Sequence, residues 1–168
     1  MSNNTLTGFT VSLDGYGYAG TVQSHTPPAV EMVVQEHTAG GLAGTDEILM
    51  NKVASMEATT VIKTHDEKLS SVLGRGDVSQ KVRGNLKDED GNDIAVMYEY
   101  RGRVTRIEEA EMSGGDGEHT ITYRQHITKY TKSINGVPVF SVDIKAVSLK
   151  PDGKTDTWEQ YRKNLGIG

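Results

Sequence analysis

The 168-residue sequence contains no cysteine, which excludes disulfide bonds and thiolate metal sites. It has no apolar run near the roughly 20 residues that a membrane-spanning helix requires. Residues 1–4 lack the basic and apolar segments of a secretory signal. We therefore expect a chain that folds in a cytoplasm, inserts into no membrane and has no covalent cross-link.

Aromatic residues are also scarce, at 6% of the chain, and apolar residues make up only 35%. The chain is nevertheless long enough to bury a core, and its length is most simply that of one domain. Nineteen glycines and only two short candidate helices favour a β-dominated fold. The sequence thus predicts a single domain over residues 1–168 with a modest core.

Basic residues are nearly absent from the first third of the chain. Residues 1–60 contain six acidic residues and a single basic one, Lys52, and therefore carry the whole net charge of −5. Such a surface repels nucleic acid, because phosphates are negatively charged. A solvated acidic face that aids solubility explains the same asymmetry, and both interpretations stay open at this point.

What the chain does contain is a long β-patterned stretch from residue 94 to residue 149. Apolar residues at alternating positions from Ile94 to Val104 share one face of its first run, as in a half-buried strand. In the second run the alternation changes phase, which predicts a β-bulge near Lys129. Asn135-Gly136 then predicts a two-residue hairpin turn. We expect an antiparallel meander with strands longer than the usual ~5–6 residues.

Two short segments carry helical signals. Thr64 precedes Glu67 with the spacing of a capping box, an apolar stripe follows, and Gly74 suits the residue after a helix end. Asp156 begins a similar pattern near the end of the chain, where Trp158 is expected to pin a second helix over the sheet. The predicted fold class is therefore mainly β, an antiparallel β-barrel or sandwich with one short internal helix and one short C-terminal helix.

Residues 37–49 are the least regular part of the chain, a predicted long irregular loop with glycines at positions 40, 41 and 44. A phosphate-binding loop ends in Gly-Lys-Ser/Thr, whereas Gly44 is followed here by Thr45-Asp46 without a lysine. Nucleotide binding is therefore not predicted. A mobile or partner-docking loop is the interpretation that remains.

No arrangement of residues indicates catalysis. The five histidines are scattered singly, without His-x-His or His-x-x-x-His spacing, and are expected to be solvated or hydrogen-bonded. Glu108, Glu109 and Glu111 form an acidic cluster near a turn, but the sequence indicates no pocket beside them. We therefore predict no catalytic, cofactor-binding or metal-binding residues and no enzyme activity.

Short stretches along nearly the whole chain, densest toward its end, together resemble a known family. They are Asp14-Gly15 with Gly20, Pro28 ahead of a strand, Gly40-Gly41, Arg101-Gly102-Arg103, Gly117-Glu118-His119, Tyr130 with Lys132, Ile134-Asn135-Gly136, Val142-Asp143-Ile144 and Glu159-Gln160-Tyr161-Arg162-Lys163-Asn164-Leu165-Gly166. In this order and spacing they resemble the major tail tube proteins of contractile-tailed bacteriophages, a family that also includes the tube subunits of R-type pyocin-like particles.

The resemblance implies a structural protein of the virion whose copies form hexameric rings. The rings stack into a hollow tube, assembled in the host cytoplasm, that conducts DNA during ejection. The implied partners are other copies of the chain, the tail sheath outside, the tape-measure protein and DNA in the lumen, and the baseplate and tail terminator proteins.

The resemblance also implies roles for particular residues. The irregular loop becomes a contact between rings or subunits, made by His37, Gly40, Gly41, Leu42 and Gly44. The acidic first third suits a lumen along which DNA slides without binding, and the residues hypothesised to face that lumen are Asp46, Glu47 and Glu57.

Two alternative functions stay open at the level of sequence. One is a tube subunit of a phage-derived injection or secretion particle, tailocin or type VI-like, which carries an effector in place of a genome. The other belongs to a different class, a monomeric β-barrel that binds a small ligand.

Overall fold

The computed structural model of the protein describes residues 3–115 and 117–167, and within these ranges it contains eleven β-strands and two short α-helices. The elements are β1 (Thr5–Leu13), β2 (Tyr16–Gly17), β3 (Val22–Thr26), β4 (Met32–His37), β5 (Asp46–Val53), β6 (Met56–Ile62), α1 (Glu67–Ser71), β7 (Val78–Lys87), β8 (Asp93–Glu109), β9 (Ile121–Ile134), β10 (Val137–Asp143), β11 (Ser148–Lys150) and α2 (Glu159–Asn164). The predicted fold class is confirmed.

Nine of the strands form one antiparallel sheet that branches at β9. Strand order along the main path is β11-β10-β9-β8-β7-β1-β2. One edge of β9 pairs with β8, whereas its other edge pairs with β6 over residues 121–127 and with β10 over residues 129–134. β3 then pairs with the outer edge of β6. The predicted meander is therefore present, with strands of 17 and 14 residues at its centre.

The bulge predicted near Lys129 lies where the sheet branches. Arg101 pairs with Lys129, but the next residue, Gly102, pairs with Ile127, so Thr128 is the extra residue. A β-carbon at Gly102 would lie 1.8 Å from the carbonyl oxygen of His126. The two strands can approach this closely only because the residue at position 102 has no side chain.

The core consists of two apolar clusters on the inner face of the folded sheet. The first includes Met56, Tyr100 and Ile127, and the buried Trp158 packs against it and pins α2, as predicted. The second lies beneath α1, where Leu69 is buried against residues of several strands. The helices thus cover two separate regions of one core.

Both predicted capping patterns are wrong in detail. The N-cap of α1 is Asp66, whose extended backbone and short carboxylate let it accept the amide of Lys68, while Thr64 lies two residues too early. Near α2, Asp156 accepts the amides of Leu149 and Trp158 and an ion-paired hydrogen bond from Arg162. Partial burial opposes ionisation of Asp156, yet these donors outweigh it and lower its pKa to about 2.

A hydrogen-bonded polar network links the two apolar clusters. The ring of His25 contacts the hydroxyl groups of Thr60 at 2.8 Å and Tyr100 at 3.1 Å. The amide of Gln80 donates to Thr60 at 3.1 Å and to Tyr123 at 3.2 Å. Burial lowers the pKa of His25 to about 4, so the imidazole is neutral in the folded protein at neutral pH.

Acidification is expected to destabilise the fold through His25. The pKa of a histidine is about 6.5 in an unfolded chain and about 4 at this position in the fold. Between these values the unfolded chain binds a proton that the folded chain does not, so stability falls as the pH drops from about 6.5 to about 4. The full effect is on the order of 3 kcal/mol.

Thermal unfolding of the parent and of the His25→Gln variant, compared at about pH 7 and about pH 4.5, checks this expectation. Glutamine can keep polar contacts with the two hydroxyl groups but does not titrate. The variant should therefore lose less stability on acidification than the parent. Equal losses in the two proteins would show that another group is responsible.

Candidate assembly surface

Strands β4 and β5 form a separate two-stranded sheet, which we call the β4–β5 hairpin. Only the residues at its base, Met32 and Val53, are partly buried, and every other residue of both strands is exposed. An isolated two-stranded hairpin is at best marginally stable in water. A hairpin exposed on both faces is therefore expected to gain stability from a neighbouring molecule.

Apolar side chains make up much of this exposed surface. Leu49 is 60% exposed and Leu42, at the tip, is 48% exposed; further exposed apolar residues on the two strands are Val33, Val34, Ile48 and Met50. Single exposed apolar residues are ordinary, but a group of them on one protruding element is typical of an interaction surface.

Strand alternation divides the hairpin into two unlike faces. On one face the cross-strand pair Val34–Leu49 is followed by the pair Glu36–Glu47. On the other face His37 is opposite Asp46. Two carboxylates directly opposite one another in an antiparallel pair repel and destabilise it. The first face therefore combines an apolar pair with an electrostatically unfavourable one.

The loop at the tip is shorter than the sequence predicted. Residues 46–49 are not part of an irregular loop over 37–49, because they pair with β4, and only residues 38–45 connect the strands. Alternation did not indicate the start of β5, since neither face of the hairpin is buried there and no apolar–polar alternation is required.

The structure brings the five predicted contact residues together at this tip. His37 ends β4, and the other four lie in the connecting loop: Gly40, Gly41, Leu42 and Gly44. Gly41 has a φ of +92°, which favours glycine. The amide of Leu42 donates to the carbonyl oxygen of Ala39 at 3.2 Å, which shapes a turn that presents the leucine.

The three acidic residues predicted to face a lumen do not lie together. Asp46 and Glu47 start β5, on opposite faces of the hairpin, and the Asp46 carboxylate accepts the Glu47 amide at 2.8 Å. Glu57 lies instead on β6 in the main sheet, where its Oε2 atom is 3.6 Å from Nε of Arg124. Two of the three therefore lie beside the predicted contact residues, and the third is placed by a different element.

The base of the hairpin borders an apolar cleft, which we call the C-terminal groove. Asn51 has a φ of +54° and lies in an irregular part of the β4–β5 register that bends the hairpin. The groove has a volume of about 320 Å³ and is lined by Asn51, Lys52, Val53, Ile144, Val147, Trp158, Tyr161 and Leu165. Sequence reasoning did not find it, because its walls come from three separate segments.

Two histidines that the sequence analysis treated as isolated are in contact. The Nε2 atom of His65 lies 2.7 Å from Nδ1 of His119, with stacked rings, and Nε2 of His119 lies 2.9 Å from the carbonyl oxygen of Ala110. They are 54 positions apart, so no local spacing could indicate the pair. Within residues 3–115 and 117–167, no group of three or more His, Cys, Asp or Glu side chains could hold a metal ion.

None of the helices in the described part of the chain has the length and apolar character needed to cross a membrane.

A sequence model of the family described as phage tail tube protein FII matches residues 3–166. The chain belongs to this family. The major tail tube protein of Serratia phage KSP20 is 27% identical over 162 residues, covering 95% of this chain and 94% of that protein. The tail tube protein of Escherichia phage P2 is also 27% identical, over 168 residues, with 94% of each chain covered. The resemblance drawn from the sequence is confirmed.

Solved structures with the tail tube fold are similar as well. A chain from the sheath-tube complex of an extracellular contractile injection system, in the extended state, has a TM-score of 0.57 at 10% identity. The match covers 74% of the tail tube family member described here and 87% of that chain. A chain from the tube-terminating cap of the anti-feeding prophage has a TM-score of 0.55 at 11% identity, with the same coverage. At these identities the likeness shows the fold alone.

Proposed function

We propose that this tail tube family member forms hexameric rings that stack into a hollow tube conducting DNA during ejection from a phage particle. The observation that carries the proposal is the family match over residues 3–166. Two phage tail tube proteins also align with this chain over nearly their whole length. The β4–β5 hairpin supports assembly, because it exposes apolar residues on an element with too little burial of its own.

The long central strands also support assembly. β7 pairs with β8 only as far as Gly102, and beyond it Leu73 bridges the same edge at Val104. From Thr105 to Glu109, β8 pairs with β9 along one edge, and no described strand pairs with its other edge. A long exposed strand edge invites pairing with another chain. We propose that neighbouring copies cover such edges, so that their sheets join into one inner barrel.

The tip of the hairpin is proposed as the contact between rings. Its residues are His37, Gly40, Gly41, Leu42 and Gly44. A glycine-rich loop is costly to order, and the exposed Leu42 gives it an apolar group whose burial in a second ring offsets that cost.

The acidic residues Asp46, Glu47 and Glu57 are proposed to face the lumen. A basic wall would release counterions from DNA and bind it, whereas an acidic wall leaves water and cations between the protein and the DNA. The surplus of acid in the first third of the chain supports this arrangement. Asp46 and Glu47 both flank the hairpin tip, so the tip is proposed to reach the lumen where two rings meet.

The proposed partners are those that the resemblance to tail tube proteins implies. They are the sheath outside, the tape-measure protein and DNA inside, and the baseplate and tail terminator proteins at the ends. Assembly is proposed to take place in the host cytoplasm, and no catalytic step is assigned to the subunit.

A tube of an injection particle is a second candidate function, favoured by the fold shared with the contractile injection system. The two phage relatives favour the DNA-conducting tube.

Replacing the three proposed lumen acids with lysine is expected to leave tubes intact but to slow or block genome ejection. The triple variant Asp46→Lys, Glu47→Lys and Glu57→Lys reverses three charges per subunit, and each added cation strengthens binding to phosphate. Particles carrying the variant are compared with parent particles for tube morphology by electron microscopy and for the rate of DNA release.

The matched control removes the charges without reversing them, in the variant Asp46→Asn, Glu47→Gln and Glu57→Gln. It should eject DNA faster than the lysine variant, and raising the salt concentration should narrow the difference. Normal ejection by intact tubes of the lysine variant would show that these carboxylates do not face the path of the DNA.

A further inference from the structure

The face of the β4–β5 hairpin that contains Glu36 destabilises the hairpin in the isolated subunit. Glu36 and Glu47 repel across the hairpin, and the neighbouring pair on the same face, Val34 and Leu49, is exposed to water. Residues 31–49 contain four acidic residues and no lysine or arginine. A partner suited to this face therefore presents cations beside an apolar surface.

The same chain presents such a surface at the C-terminal groove. Lys52 lines the groove, and Lys145 stands in the turn between two lining residues, Ile144 and Val147. Both lysines are exposed, and neither forms an ion pair with a described residue. The exposed side chain of Leu165, on the rim, adds apolar surface.

Two other cations near the groove are already engaged. Arg162 binds Asp156 and the carbonyl oxygen of Val147, and Lys163 pairs with Glu159 at 3.1 Å. Arg162 ties α2 to the segment around Val147, whereas the Lys163–Glu159 pair lies within α2. The cations left to meet an incoming carboxylate are Lys52 and Lys145.

We propose that the Glu36 face of one copy's β4–β5 hairpin docks in the C-terminal groove of a second copy. The Val34–Leu49 pair enters the groove, and Glu36, two residues further along the strand at about 6.6 Å, meets Lys52 or Lys145 of the second copy. The contact joins two different surfaces, so each copy can bind one neighbour through its hairpin and another through its groove. Repeating the contact builds a closed ring if the rotation between copies divides a full turn, and an open stack if it does not. The inference rests on the proposed tube assembly and names the surfaces that make it. Glu36 on β4 meets the groove, whereas Glu47, opposite it on β5, stays at the edge of the contact that borders the lumen.

The Glu36→Lys variant distinguishes an effect on this contact between copies from an effect on the stability of the hairpin itself. In the isolated subunit the new lysine faces Glu47, so the repulsion becomes attraction and the melting temperature should be unchanged or higher. In assembly the same lysine meets the lysines of the groove, and the concentration needed for tube formation should rise by about tenfold or more.

Reciprocal charge exchange then tests the second surface. Lys52→Glu and Lys145→Glu are each combined with Glu36→Lys, and tube formation is measured by sedimentation at matched ionic strength. We expect at least one combination to recover most of the lost assembly, although both partners are altered. A Glu111→Lys variant, with the same change in net charge away from the hairpin, serves as the control.

The outcomes distinguish this inference from the proposed function. If the parent forms tubes and Glu36→Lys assembles like the parent, the docking inference is wrong and the tube function stands. If Glu36→Lys weakens assembly but neither lysine exchange restores it, the groove is not the partner surface. If the parent itself forms no tubes, the proposed function fails first.

Discussion

Deletion of residues 40–44 is expected to give a folded subunit that no longer stacks into tubes. The deletion removes three glycines and the exposed Leu42, the apolar group at the tip of the β4–β5 hairpin. Three residues then remain between His37 and Asp46, enough to close an antiparallel hairpin. The core is untouched, because every deleted residue is exposed. Circular dichroism and thermal unfolding should therefore match the parent, while sedimentation detects no long tubes.

A second variant distinguishes the effect of losing the apolar side chain from the effect of shortening the loop. Leu42→Ser keeps all residues of the tip and removes only the exposed side chain, so it should weaken stacking without abolishing it. Tubes of normal length from the deletion variant would show that the tip makes no contact between rings.

Gly102→Ala is expected to destabilise the subunit severely. An added β-carbon would lie 1.8 Å from the carbonyl oxygen of His126 and 3.0 Å from the α-carbon of Ile127, both in the backbone of the adjacent strand. Backbone atoms of a paired strand cannot move aside without breaking the β8–β9 ladder, so the cost should exceed about 3 kcal/mol. Denaturant unfolding measures it directly.

Gly8→Ala is the matched control for this variant. Gly8 also lies in a strand at a register shift, yet nothing lies within 4 Å of the position a β-carbon would take. We expect a change within about 1 kcal/mol for this substitution. Equal stability of the two variants would mean that β8 and β9 do not approach as closely as the bulge at Thr128 requires.

The sequence predicted best where a strand has one buried and one solvated face. Between Ile94 and Val104 the alternation agrees with the observed burial at most positions, because one face of the strand lies against the core: Val96, Tyr100 and Val104 are buried, whereas Arg101 and Arg103 are exposed. The phase change that predicted the bulge has the same origin, since one extra residue at Thr128 turns the following side chains over.

Prediction failed where no buried face imposes a pattern or where a contact spans distant segments. The strands of the β4–β5 hairpin were taken in part for loop, because both their faces are exposed. The N-cap of α1 was predicted at Thr64, but the structure has it at Asp66. Both residue types are common N-caps, and sequence spacing alone does not decide between them. The contact of His65 with His119 needs the fold itself.

Electron microscopy of the purified subunit at high concentration shows directly whether the protein assembles into tubes. We expect hollow tubes built of stacked hexameric rings, in amounts that increase with protein concentration and with time. A protein that stays monomeric at high concentration and forms no tubes on ageing would contradict it.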